Sequence, residues 1–339
     1  MTKLSEQFYQ RGNQFLGCRY PFLCGAMTWI SEPGLVAAVC NAGGFASLAG
    51  GNVPPDQLAA AIEQTRTLTK HPFGVNLITI APAYQDQLRM LRDNPVATVI
   101  FAGNFPKDTE VAMIKDTGAK VICFASTESI AKRMYRYGAD ALILEGTEAG
   151  GHIGHVSLIV LLQQVLFHFD AIPVFVAGGI ATGKMSAHLL LMGAAGIQMG
   201  TRFAISKESC AHPAFKEAML RADARDAVST SQFDPRLPVV AVRALKNEGL
   251  RRFGQLQYDL IGLLNQGHIS LKDAQEQVEH FWVGALRRAV QDGDIENGSI
   301  MAGQSVGLLE KIQSVQEIIS EFDREIETEL QRVKKTVCS

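Results

Sequence analysis

Two stretches decide how this chain is read: PVFVAGGIATGK at Pro173–Lys184 and GIQMGTRF at Gly196–Phe203. Each is a short apolar run that stops at glycine. A run of Val, Phe and Ile without polar alternation suits a strand buried on both faces, and such strands belong to parallel sheets covered by helices. Working outward, the same unit recurs. Strands are expected near Tyr20–Gly25, Gly44–Ala49, Phe73–Ile78, Thr98–Ala102, Lys120–Phe124, Ala141–Glu145, Ile172–Ala177 and Gly196–Met199. They fall about 25 residues apart, and segments between them, such as PDQLAAAIEQTRT (Pro55–Thr67) and TESIAKRMYRY (Thr127–Tyr137), carry amphipathic helical spacing. Eight strand–helix units predict an α/β fold, a (β/α)8 TIM barrel. A doubly wound open sheet shows the same alternation, because pattern alone does not reveal closure.

Composition sets the remaining bounds. Of 339 residues, 47% are hydrophobic and 19% charged, which supplies a large core and excludes global disorder. The 32 Lys and Arg against 34 Asp and Glu leave a net charge of −2, without the basic excess of a general nucleic-acid binder. The N-terminal stretch MTKLSEQFYQRGNQFL has no apolar segment of the secretory kind. The longest apolar runs, such as LIVLLQQVLF, fall short of the ~20 residues needed to span a bilayer, so no membrane association is expected. Six cysteines lie far apart and form no CxxC pair, which argues against a zinc motif or a disulfide framework. A reduced, cytoplasmic protein is expected.

From about Ser206 the pattern changes. Residues 1–210 are expected to form the barrel, completed by a C-terminal helix over 304–335. Ala211–Gly303 reads as mostly helical, with strand-like pieces such as LPVVAVRAL (Leu237–Leu245), and is expected to form a smaller cap or C-terminal subdomain. The final helix is drawn from Leu308, Ile312, Val315, Ile319, Phe322, Ile326, Leu330 and Val333, a single apolar stripe. Packing on the barrel is the expected use of that stripe; a homodimer interface is the alternative.

In a barrel, functional groups gather at the C-terminal ends of the strands, and phosphate often binds after the seventh and eighth. Gly178, Gly179, Gly200 and Thr201 are therefore expected to form a phosphate cradle, with the helix after each loop aiming its N-terminus at the same spot. GGIATGKM (Gly178–Met185) also fits GxxxxGK, but Met185 stands where a magnesium-holding Ser or Thr is required. The sixth strand ends in EGTEAGGHIGH (Glu145–His155). Glycines there admit a flat ligand, and His152 is the expected general acid or base, while His155 reads as solvated. A metal would need three convergent ligands, and Glu148 with His152 supplies two at most. The first strand ends CGAMTW, where small residues and the Met27 thioether suit a flat aromatic ring. The third ends GVNL, and the Asn76 amide offers a donor and an acceptor to the polar edge of a flavin or pyrimidine.

Taken in order, GAMTWIS, NAGGFA, FGVNL, EGTEAGGHIG, VAGGIATG and QMGTRF resemble the 2-nitropropane dioxygenase-like flavoproteins, which include nitronate monooxygenases and the flavin-dependent enoyl-ACP reductase II. The similarity covers residues 15–215 and resumes at GSIMAGQSVGLL (Gly298–Leu309). It implies one non-covalent FMN in a TIM barrel. Gly25, Ala26 and Met27 would lie against the isoalloxazine. Asn76 and Glu145 would bond flavin or ribityl groups, with Gly150 in the same loop. Gly179, Gln198, Met199, Gly200 and Thr201 would bind the phosphate, and His152 matches the catalytic histidine. GGHIG and MAGQ resemble the enoyl reductases, which implies NAD(P)H as co-substrate, an acyl thioester on CoA or acyl carrier protein, and help from a monovalent cation. The alternative is a nitronate monooxygenase using oxygen; a further one is a flavin-binding protein without turnover. Phe124 ends the fifth strand where some quinone-reducing relatives carry lysine.

Overall fold

The computed structural model describes residues 3–51 and 53–338. Its strands are β1 (Phe22–Cys24), β2 (Phe45–Ala49), β3 (Gly74–Ile78), β4 (Thr98–Ala102), β5 (Lys120–Phe124), β6 (Ala141–Glu145), β7 (Gly151–His152), β8 (Val174–Ala177), β9 (Gly196–Met199), β10 (Ala227–Ser229) and β11 (Val242–Leu245). All except β7, β10 and β11 form a closed parallel barrel in chain order. Closure is made by β1 against β9, with Leu23 opposite Gln198 and Cys24 opposite Met199. This pairing settles the choice between barrel and open sheet.

The two-sided burial expected of apolar strands is visible residue by residue. In β6 and β8, Ala141, Ile143, Phe175 and Ala177 fill the barrel interior with Leu23, Phe45, Ile100 and Ile122. Their neighbours Leu142, Leu144, Val174 and Val176 join the outer layer beneath the helices. Burying each Leu, Ile, Val or Phe side chain among them contributes roughly 1.5–3 kcal/mol, so the continuous apolar run stabilises both layers. Around the barrel lie α1 (Leu4–Leu16), α2 (Pro33–Asn41), α3 (Pro55–Leu68), α4 (Tyr84–Asp93), α5 (Asp108–Lys115), α6 (Glu128–Arg136), α7 (Leu158–Leu161, continued by a π-turn over Leu162–Leu166), α8 (Gly183–Leu191), α9 (Thr201–Ala204) and α10 (Pro213–Arg221). Helix α1 closes the N-terminal end of the barrel, with Leu16 in the inner cluster and Phe15 against Phe175.

The remaining helices are α11 (Glu248–Asn265), α12 (Leu271–Phe281), α13 (Ala285–Arg287) and α14 (Val315–Cys338). Leu237, Phe253, Leu260, Ala274 and Val278 form a separate small core with Phe281 and Trp282. Within Leu237–Leu245 only Val242–Leu245 is strand. It is the middle of a three-stranded antiparallel sheet ordered β10-β11-β7, so the cap is joined to the barrel's own sixth loop. Helix α10 instead buries Phe215 and Met219 in the main core.

Helix α14 starts later than the apolar stripe suggests. Leu308 sits in a 3-10 turn and is 56% exposed. Ser314 and Glu317 explain the start: the Glu317 N–H donates to Ser314 Oγ (3.2 Å), and the Ser314 N–H to Glu317 Oε2 (2.6 Å). This reciprocal cap fixes the first turn. Val315, Ile319, Phe322, Ile326 and Leu330 are then buried within the chain, where α14 packs on α8, α1 and α2. Among the described residues, no helix is long and apolar enough to cross a membrane.

Candidate functional site

Parallel strands in a closed barrel put all their C-terminal ends on one face, so the groups singled out at strand ends converge there. The Gly25 N–H donates to the Met199 carbonyl (3.0 Å), joining the first and eighth barrel loops. The first loop folds back tightly. Met27 N–H donates to Ser31 Oγ (2.9 Å), which donates to the Gly25 carbonyl (3.2 Å). Trp29 takes a left-handed φ of 67°, strained for a bulky residue, and its carbonyl accepts the Cys210 S–H (3.2 Å). Ser31, Trp29 and Cys210 shape the bed around Ala26 and Met27, and sequence reasoning passed over all three.

Asn76 lies in the middle of β3, which runs on to Ile78 rather than ending at GVNL; it is buried, and its Nδ2 donates to the Ile100 carbonyl (3.3 Å). That bond fixes the amide and leaves Oδ1 to accept. Glu145 ends β6. Its carboxyl makes no hydrogen bond to any described residue, and it lies enclosed by protein with part of it open to the barrel mouth. Burial pushes it up to about 8, so it is largely protonated at neutral pH and able to donate. Gln198 likewise has no side-chain partner among the described residues, and it stands beside Gly25, whose Cβ would lie 3.3 Å from the amide. An orphaned acid and an orphaned amide at one mouth fit a polar ligand edge.

Gly178 and Gly179 have φ of 101° and 71°, a conformation L side chains rarely adopt. They bend the chain so that Gly178 rests on Gly146 of the sixth loop. At Gly200 a Cβ would meet only Met27 Sδ, at 3.6 Å, an ordinary contact. Thr201 Oγ1 accepts from Gly303 N–H (3.0 Å) and keeps its own hydrogen to donate. One expectation needs correction. The N-terminus of α8 does not face the cradle as a free anion site: the Gly183 N–H donates to Glu325 Oε2 (2.7 Å) and Met185 N–H to Thr182 Oγ1 (3.3 Å). A carboxylate from α14 already fills that end. The Met199 side chain is buried in the outer core, so any contact of Met199 with a ligand falls to its backbone.

The sixth loop is fixed on several sides. Thr147 N–H donates to the Val156 carbonyl (2.9 Å), and the Leu158 N–H to both Glu148 carboxylate oxygens (3.2 and 3.0 Å). Glu148 thus closes the loop upon itself. At Gly150 a Cβ would lie 2.5 Å from the Ala302–Gly303 backbone, so the MAGQ segment (Met301–Gln304) packs directly against this loop. His152 lies on β7 opposite Val242 of the cap. Its imidazole is exposed and makes no hydrogen bond among the described residues, and desolvation by the protein around it lowers its pKa. His155 is exposed as well.

The chain matches the family model described as nitronate monooxygenase over residues 10–92 and 78–325. It is 32% identical to the (3aS,4S,5R,7aS)-5-hydroxy-7a-methyl-1-oxo-octahydro-1H-indene-4-carboxyl-CoA dehydrogenase of Mycobacterium tuberculosis, covering 96% of this chain and 98% of that one. Among solved structures it resembles FabK from Thermotoga maritima (TM-score 0.87, 36% identity, 96% of this chain and 98% of that one). It also resembles the nitroalkane oxidase of Streptomyces ansochromogenes (TM-score 0.79, 27% identity, 95% and 99%).

Proposed function

Because the chain belongs to the nitronate monooxygenase family, a family of flavin-using oxidoreductases, we propose that it binds FMN and reduces the double bond of an enoyl thioester with NAD(P)H. The observation that carries this reading is the likeness to a carboxyl-CoA dehydrogenase over 96% of this chain. FMN would supply the hydride carrier. Gly25, Ala26 and Met27 would form its bed. Asn76, Glu145 and Gln198 would meet its polar edge, with Gly150 at the rim. Gly178, Gly179, Gly200 and Thr201 would hold the phosphate. His152 would offer its N–H as a hydrogen bond to the thioester carbonyl oxygen or, as imidazolium, deliver the proton needed at the α carbon and be left as neutral imidazole. CoA and acyl carrier protein are both suitable thioester carriers.

A second reading, oxidation of alkyl nitronates with oxygen, is favoured by the family model and by the likeness to a nitroalkane oxidase. One paired assay separates them. We expect a yellow protein that releases FMN on heating, oxidises NADH or NADPH with crotonyl-CoA, and consumes no oxygen with propyl-2-nitronate. Oxygen uptake with the nitronate and no reaction with the thioester would reverse the assignment. Bound flavin with neither reaction would leave a flavin carrier.

A further inference from the structure

We propose that Arg243 of the cap is a positioning residue for His152: its guanidinium ties the sixth barrel loop to the cap sheet at the height where the imidazole meets substrate. The proposal rests on reading His152 as the group that touches substrate.

Arg243 is in the middle strand of the cap sheet and only 8% exposed. Among the described residues it forms no ion pair. It donates instead through Nε to the Thr147 carbonyl (2.9 Å) and through Nη1 to the Ala227 carbonyl (2.7 Å). Thr147 belongs to the loop that carries His152, and Ala227 begins β10. One side chain thus fastens the loop to the far strand of the cap sheet. Its own backbone completes the arrangement, with Arg243 opposite Gly151 and Val242 opposite His152.

The other ties of the loop do a different task. The bond from Thr147 N–H to Val156 and the closure through Glu148 hold the loop to itself. Gln304 N–H donates to the Glu148 carbonyl (2.9 Å) and fixes it to the 303–304 segment. That segment is itself bridged to β11 through Met301 and Ala244, and the loop meets the cap sheet directly through a two-residue strand, the bond from Ile153 N–H to the Ala241 carbonyl (3.2 Å), and Arg243. So short a ladder restrains little alone, whereas a planar guanidinium donating in two directions fixes the loop at Thr147 and β10 at Ala227 at once. A buried cation paired only with carbonyls costs more to desolvate than an apolar side chain in its place, so packing alone does not account for it. The nearby Glu148 carboxylate attracts it without touching it.

The test uses the flavin-loaded enzyme with NAD(P)H and an enoyl-CoA, in four forms: wild type, Arg243→Lys, His152→Ala and the double variant. Arg243→Lys keeps the charge and one donor; Arg243→Gln serves as a second variant if Lys does not fold. We expect Arg243→Lys to retain flavin, to leave KM within about threefold, and to lower kcat by about 10- to 100-fold, the scale expected when a supporting group is lost and a reacting group misplaced. In the His152→Ala background the same change should lower kcat less than about twofold, since coupled residues are non-additive. Amide exchange over residues 146–156 should quicken in Arg243→Lys and stay unchanged in the barrel strands. Equal losses in both backgrounds, unchanged exchange and turnover, or a loss that merely follows flavin release would overturn the proposal. Full turnover in His152→Ala would overturn the reading of His152 and this proposal with it, a result distinct from an inert Arg243→Lys beside a dead His152→Ala.

Discussion

Replacing Glu145 with glutamine should change the pH dependence of stability in a defined direction. The carboxyl titrates near 8 in the folded protein because burial disfavours its charge, against an ordinary value of 4.5. Below pH 4.5 both folded and unfolded chains hold the proton, and wild type has its full stability. Between 4.5 and 8 the unfolded chain releases the proton while the folded one keeps it, so stability falls as pH rises; above 8 the loss is complete. At about 1.36 kcal/mol per pH unit the ceiling is roughly 5 kcal/mol. The carboxyl is partly open to solvent at the mouth, and with that screening we expect about 1–3 kcal/mol. Glutamine has no such slope. Urea unfolding of the flavin-stripped protein at pH 5, 6, 7, 8 and 9 should show Glu145→Gln gaining on wild type by that amount from pH 5 to 9. A difference that is flat with pH, or that favours wild type at high pH, would refute the unpaired, protonated carboxyl. Glutamine still donates a hydrogen bond, so flavin affinity should fall little in Glu145→Gln and clearly in Glu145→Ala.

His152→Ala should keep flavin and lose about 10²–10⁴-fold in turnover if it transfers a proton, while His155→Ala, three residues on and outside the short strand β7, remains near wild type in the same steady-state assay. Gly200→Val should weaken FMN binding in a fluorescence titration without unfolding the barrel, because its side chain would stand at the strand end proposed to hold the phosphate, with only Met27 Sδ within 4 Å of its Cβ. Gly183→Ala should behave in the opposite way. Its Cβ would lie 2.5 Å from Glu325 Cβ and 2.7 Å from the Phe322 carbonyl, so thermal unfolding should show a loss of about 1–3 kcal/mol with FMN affinity unchanged. A large loss of FMN affinity there would show that the α8 terminus takes part in phosphate binding.

Much of this protein was legible along the chain. Runs such as ALILE and VFVA reveal a doubly buried parallel strand through local composition alone, and glycine marks where each ends. Once eight such strands alternate with helices, topology places Gly25, Met27, Asn76, Glu145, Gly178 and Gly200 on one face, although they are far apart in sequence. The start of α14 was also legible, through Ser314 and Glu317, but the apolar stripe obscured it. Other features were settled only by folding. Closure required β1 to meet β9. The α8 terminus is filled by Glu325, 142 residues away in sequence. The loop that presents His152 is held by Arg243, 96 residues beyond Thr147. A two-residue strand such as β7 has no periodicity to read, and a hydrogen bond between distant segments leaves no trace in the local pattern of either. Those contacts form because the barrel brings their backbones together, so their partners are specified by the geometry of the whole chain.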